Sequence, residues 1–315
     1  AASQRYGRTR RLVKVLRSWT RDRWHRPVDG GCLPPCALEN TVCNRHPNRS
    51  GNKALETDSY ETLNDSSIGA GLLVPRFYHP LSPLNPMFTD ASRFEQFPAL
   101  AHTTYLNTAA ESIPPLCVEE AVHEYIRDKT LGMRGRDGHF AQVEKCRAVC
   151  ARLLSLTPAE VSFCSCSSEA YNLLASALQL RDRDEVVVTD IDFPAGITPW
   201  MRAASPPALK IWKANQGELL LEELSSILGP TTKLVQVSLV SFYSGHRIAW
   251  EPFHKMVRAL APNAVIAVDI TQAFGRIPIL CHNADILISS THKWTLGIHG
   301  GCVIGVPAAR SEEHT

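Results

Sequence analysis

From Thr104 to Val306 the chain alternates between short apolar runs and stretches with an apolar residue every three or four positions. The first pattern predicts buried strands and the second amphipathic helices. Helical spacing runs from Val118 to Leu131 and stops at Gly132. It resumes from Phe140 to Leu154, where Val143, Cys146, Val149, Cys150 and Leu153 would share one face. Between these two, Gly135-Arg136-Asp137-Gly138 reads as a loop. Beyond them the predicted order is strand Val161–Phe163, helix Glu169–Leu180, strand Glu185–Thr189, strand Leu209–Trp212, helix Leu220–Leu228, strand Lys233–Ser238 and helix Pro252–Leu260. Three more strand-like runs follow at Ala264–Val268, Asp285–Ile288 and Cys302–Val306. This rhythm predicts an α/β fold, a three-layer α/β/α arrangement around a mostly parallel sheet.

Composition changes the picture mainly at the ends. Before Asp29 the chain carries eight arginines and Lys14 against one acid, Asp22. Such a segment suits a nucleic-acid or membrane arm, or an Arg-rich targeting peptide. Apart from Trp19 and Trp24, however, it lacks the interleaved aromatic or apolar spacing those roles need. The first methionine is Met87, and residues 1–86 are rich in Arg, Pro, Asn and Ser without hydrophobic periodicity. They are expected to be disordered or a spurious upstream extension. The last residues, 310–315, resemble translated adapter sequence, so the folded module is expected at 87–309, with a small C-terminal domain missing after it.

No transmembrane run and no secretory pattern accompany the ten cysteines, so reduced thiols in a cytoplasmic protein are the expectation. Cys32, Cys36, Cys43 and His46 lack the spacing of a usual zinc module. Neither a membrane nor a nucleic acid is expected as partner.

The chemistry sits at predicted strand ends. Asp269 closes one apolar run, with Gln272 just beyond it, and Lys293 follows the next run within Ser289-Ser290-Thr291-His292-Lys293-Trp294. In an open α/β sheet ligands bind outside the carboxyl ends of strands, so Asp269 and Lys293 should face one crevice. Ser165-Cys166-Ser167-Ser168-Glu169 lies between a strand and a helix, where free N–H groups and the helix dipole favour an anion. Taken by itself, that turn is better explained by ordinary serine capping. Together with Phe193 the pieces suit pyridoxal 5′-phosphate. Lys293 would form the Schiff base and Asp269 would pair with the pyridine nitrogen. Phe193 would stack on the ring, Gln272 would meet its phenolic oxygen, and Ser167, Ser168, Ser290 and His292 would hold the phosphate.

The motifs Tyr105-Leu106-Asn107-Thr108-Ala109-Ala110, Ser167-Ser168-Glu169-Ala170-Tyr171-Asn172, Val268-Asp269-Ile270-Thr271-Gln272-Ala273 and Ser290-Thr291-His292-Lys293-Trp294 occur in this order, followed by Gly297, Gly300 and Gly301. In these residues the chain resembles the class V aminotransferase family of fold-type I pyridoxal-phosphate enzymes. The resemblance implies an amino acid as substrate, a homodimer when the protein is full length, and the same roles for Lys293, Asp269, Gln272 and the phosphate-binding residues. It also suggests Asn107 and Ala109, in the first motif, as substrate contacts. Arg134 and Arg136 could meet a substrate carboxylate bidentately, or simply be a solvated charged loop.

The departures concern the substrate. Where cysteine desulfurases carry a histidine over the ring this chain has Phe193, and where they have an asparagine near the ring oxygen it has Leu239. The stretch Phe242-Tyr243-Ser244-Gly245-His246-Arg247 looks closer to the epimerase-like and kynureninase-like branches. Cys164 and Cys166 read as packing residues. The expected function is therefore a pyridoxal-phosphate-dependent aminotransferase, epimerase or lyase, with a cysteine desulfurase or C–S lyase as rival. A non-catalytic paralogue or fragment is the rival of another class.

Overall fold

The computed structural model describes residues 89–307. The upstream segment 1–86, its possible zinc ligands and the tail 310–315 lie outside the described residues. Two segments precede the sheet. Helix α1 (Asp90–Gln96) opens with a Thr89–Ser92 capping box, and α2 (Leu116–Thr130) is followed by α3 (Met133–Leu154). Seven strands then form one sheet: β1 (Val161–Cys164), β2 (Glu185–Thr189), β3 (Ala208–Trp212), β4 (Thr232–Ser238), β5 (Val265–Asp269), β6 (Ile286–Ser290) and β7 (Cys302–Gly305). Their spatial order is β1-β7-β6-β5-β4-β2-β3. The block from β6 to β3 is parallel, while β7 runs antiparallel to both β6 and β1. Crossovers are carried by α4 (Ser167–Leu178), α5 (Pro194–Met201), α6 (Leu221–Ile227) and α7 (Trp250–Leu260).

The central strands bury both faces, which is why they read as unbroken apolar runs. Successive residues serve opposite layers. Val235, Val237, Ile266, Val268 and Leu287 join Leu154 and the helices α6 and α7, whereas Leu234, Val265, Ala267, Ile286 and Ile288 join Tyr171 and Leu174 of α4 and Trp200 of α5. At the entry to β6 the buried Asp285 receives Arg258 Nη2 at 2.6 Å and the backbone N–H of Ile266 at 2.8 Å. That pairing ties α7 and β5 to the strand that leads to the lysine.

The predicted strands are found within a residue or two. Two readings need correction. Gly135–Gly138 is no loop but the first turns of α3, which starts directly after Gly132 at φ +62°. A Cβ on the buried Gly135 would collide with the Asp128 carbonyl, so glycine here permits α2 and α3 to approach closely rather than breaking the helix. The buried face of α3 is also displaced. Cys150, Ala151 and Leu154 meet the sheet, while Val143, Val149 and Leu153 are exposed. Helix α5 went unpredicted because Pro194 and Pro199 interrupt its pattern; Pro194 sits harmlessly at N1, and Pro199 lies within the helix.

The Gly135 contact makes a prediction. Gly135→Ala should destabilise the protein by about 1–3 kcal/mol through overpacking against the α2 backbone. The shift in urea midpoint measures it; a midpoint equal to wild type would mean that α2 yields freely.

Candidate functional site

Parallel pairing brings the carboxyl ends of β4, β5 and β6 to one edge. Asp269 is paired with Ser238 on one side and Ile288 on the other. The turn after β5 then bends back: Thr271 Oγ1 accepts the Ser290 N–H at 3.1 Å, closing the ends of β5 and β6 together. Asp269 is fixed by two donors, the Tyr171 hydroxyl to Oδ2 at 2.8 Å and the Thr271 N–H to Oδ1 at 2.8 Å. Burial, then the Asp269 charge, pushes the Tyr171 hydroxyl well above its ordinary range, so it remains a donor.

Lys293 lies three residues past β6 and is only 9% exposed. Its Nζ stands 5.2 Å from the centre of the Phe193 ring. Burial lowers the lysine's pKa, and the nearby Asp269 and Glu111 charges partly restore it. An amine held this way spends more time neutral than a surface lysine, which is the nucleophilic form. Phe193 is 45% exposed and packs edge-on against Phe242 at 5.3 Å, so one face of the lysine has an aromatic wall. That wall is positioned by Asp192, whose Oδ1 accepts the Ser238 N–H at 2.9 Å and whose Oδ2 accepts the Thr189 N–H at 3.3 Å.

On the α4 side, Ser167 opens the helix and Ser168 follows in its first turn. No side chain caps the start at Cys166, and Glu169 instead reaches back to the Ser165 N–H at 2.8 Å. A cavity of about 590 Å³ between α4 and α5 is lined by Ser168, Asn172, Phe193, Thr198 and Arg202 among others. It shares Ser168 and Phe193 with the lysine site.

Other expected residues fall less directly. Gln272 donates to the Ala109 carbonyl at 2.8 Å and accepts from Trp294 Nε1 at 2.7 Å, so it binds the Tyr105–Ala110 segment to the lysine loop. Ala109 therefore enters through its carbonyl, and Asn107 is exposed at the turn before it. Ser290 is buried at the end of β6. His292 stacks on His299 at 4.1 Å, and its carbonyl accepts both the N–H and the hydroxyl of Ser112, at 3.0 and 2.9 Å. Arg134 and Arg136 are exposed on the first turn of α3, with Arg136 over Phe140 of the same helix. Neither is hydrogen-bonded to the residues around Lys293.

The fold, the motif order and the clustered Lys293, Asp269 and Phe193 now meet the comparisons. The sequence matches the model of the family described as Aminotransferase class-V over residues 104–313. The chain belongs to this family. It is 28% identical over 217 residues to a probable cysteine desulfurase of Mycoplasma genitalium, covering 65% of this chain and 52% of that protein. It is 29% identical over 213 residues to an uncharacterised aminotransferase of Bacillus subtilis, with 65% and 55% covered. Thus it spans about half the length of such relatives. Among solved structures, the cystine C–S lyase C-DES in complex with its product cysteine persulfide superposes with a TM-score of 0.61 at 19% identity, over 67% of this chain and 59% of the other. The apo cysteine desulfurase of Thermococcus onnurineus gives 0.60 at 25%, over 69% and 56%. These likenesses show that the fold is shared.

Tyr171, Thr271 and Asp192 were not assigned roles from sequence. Tyr171 stood inside a recognised motif, but nothing local reveals that its hydroxyl reaches Asp269. Asp192 is nearly enclosed, and burial, the largest influence on it, raises its pKa from 3.8 to about 6. A raised carboxyl binds protons more tightly when folded, so its stabilising contribution is fully present below 3.8 and fades as pH rises through about 6. Asp192→Asn should therefore gain stability relative to wild type across that window, by on the order of 2–3 kcal/mol. Urea denaturation of both proteins at the two ends of the window checks this, and a pH-independent difference would contradict it.

Proposed function

We propose that this chain carries the cofactor site of a pyridoxal-phosphate-dependent enzyme acting on an amino acid. The observation that carries this reading is the buried Lys293 amine, facing the Phe193 ring on one side and sharing its strand-end edge with the doubly hydrogen-bonded Asp269. The donor set fits the group. Lys293 offers the amine for an aldehyde, Asp269 offers a carboxyl for a pyridine nitrogen, and Phe193 offers a stacking face. The uncapped start of α4 with Ser167 and Ser168, together with Ser290 and His292, suits a phosphate. Gln272 would meet the ring oxygen only with the N–H that Ala109 leaves over. When bound, pyridoxal phosphate supplies a carbonyl for the substrate amine and an electron sink for the pair released at the α-carbon.

The remaining steps belong to the chain. Lys293, once released, is the base that moves the proton at the α-carbon, and burial lowers its pKa in the direction that favours such an exchange. Tyr171 and Thr271 hold Asp269 at a fixed angle. Phe193 carries no titratable group, so no proton is shuttled from its face and proton transfer falls to Lys293. Arg134 and Arg136, and Asn107 with Ala109, are the proposed substrate contacts. A cytoplasmic homodimer fits this reading: no helix among the described residues is long and apolar enough to cross a membrane, and Leu131, Met133, Val143, Val149 and Leu153 leave an apolar surface on α2 and α3 exposed.

Relatives named cysteine desulfurase favour a second reading, a desulfurase or C–S lyase. The phenylalanine over the lysine speaks for another outcome at the α-carbon. In the presence of pyridoxal phosphate the protein should show the visible absorbance of a lysine Schiff base, and Lys293→Ala should abolish that band; a band that survives would refute the assignment. Adding single amino acids should shift the band for the true substrate. In the presence of a thiol reductant, alanine with sulfide (desulfurase) or pyruvate and ammonia with sulfide (C–S lyase) released from cysteine would establish the second reading, and the absence of both product sets alongside a shift by another amino acid would exclude it.

A further inference from the structure

Beside the lysine loop, three ligating side chains converge that the proposed reaction does not need as a set. Glu111 Oε2 lies 2.9 Å from His299 Nε2. The His299 ring stacks on His292 at 4.1 Å with an interplanar angle of 19°. One ligand atom from each of Glu111, His292 and His299 falls within 4.8 Å of the others. We propose that Glu111, His292 and His299 form a binding site for a zinc-class divalent transition metal.

The backbone presents these groups together. Ser112 is anchored to the His292 carbonyl by both its N–H and its hydroxyl, so Glu111, one residue before, is held against the His292 turn. Tyr105 fixes the same stretch by donating to the Glu111 carbonyl at 2.7 Å. The His299 turn is tied back on the other side, where Thr291 Oγ1 donates to the Ile298 carbonyl at 3.1 Å and the Gly297 N–H donates to the Thr291 carbonyl at 2.9 Å. Gly300 adopts φ +96°, a conformation that lets the chain reverse tightly after His299. Much of the ordering cost of a chelate is thereby met by the fold.

The donor chemistry selects the ion. Two imidazoles and a carboxylate are a familiar three-ligand zinc set that leaves a fourth position for water. Zinc–ligand bonds of about 2.0–2.2 Å require the donors to close in by roughly an ångström. The two outer ligands can do this: the Glu111 and His299 side chains are 51% and 70% exposed. His292 is the fixed member, because its carbonyl is anchored by Ser112 and its ring is stacked on His299. The ion would take the place of the hydrogen that now lies between His299 and Glu111. A cation held there also competes with any other use of His292, including the anion contact proposed above, although the metal site itself does not rest on that reading.

Calorimetric titration of the protein with Zn²⁺, and in parallel the visible spectrum with Co²⁺, tests the site. One equivalent should bind with the weak Co²⁺ bands of nitrogen and oxygen ligation, and Glu111→Gln and His299→Gln should each weaken binding more than about tenfold, the loss that even an outer-sphere partner can cause. Circular dichroism of these surface variants confirms that they fold. Lys293→Ala should bind the metal as wild type does, which separates this outcome from failure of the cofactor assignment. Binding unchanged in both variants, no binding at all, or only thiolate charge-transfer bands from cysteines elsewhere would overturn the proposal.

Discussion

The site depends on the register of β5 against β6. In a sheet buried on both faces, every backbone N–H and C=O must find a partner within the ladder, so a slip by one residue would both unpair the ladder and turn each side chain to the wrong layer. With Asp269 opposite Ile288, Val268 and Ile266 face one core while Ala267 and Val265 face the other. The acid therefore emerges where β5 ends, and the Thr271–Ser290 bond closes the two strand ends into one surface. Lys293 follows three positions later and has little freedom over where to go.

Electrostatics at this edge depends on that placement. Asp192, just past β2, and Asp269, at the end of β5, stand on either side of the β4 end and repel one another, which contributes to the raised pKa of Asp192. Backbone N–H groups offset part of the cost, from Ser238 and Thr189 to Asp192 and from Thr271 to Asp269. Lys293 balances the second acid at longer range, and the exposed Glu111 adds to the negative side. A buried amine whose pKa is lowered by burial and partly restored by Asp269 and Glu111, beside an aromatic wall, is a poor structural residue, which is why the same arrangement supports the catalytic reading.

Legibility followed locality. Strands β2, β4, β5 and β6 were readable because a doubly buried strand is apolar at most positions, its buried polar exceptions being paired as Gln236 is with Trp200. Helix α3 was misread at its start: Gly135 and Gly138 looked like breakers, but a glycine inside a helix can instead answer a neighbouring backbone, here at Asp128. Its apolar face was also misjudged, because Val143, Val149 and Leu153 are exposed although their spacing says otherwise. In α5 the prolines concealed a helix whose Trp200 is wholly buried and donates to Gln236 at 3.1 Å.

The sequence by itself determined the strands and the family, and it singled out Lys293, Asp269, Phe193 and the Ser167-Ser168 turn as candidates, because they stand where apolar runs stop. Only the tertiary structure decided what each of them touches. Tyr171 reaches Asp269 from 98 positions away, Gln272 is taken up by Ala109 across 163, and Glu111 meets His299 across 188. Such contacts leave no local periodicity, since they depend on which loops the closed sheet brings to the same edge. That physical fact separates the legible half of this site from the half that had to be seen.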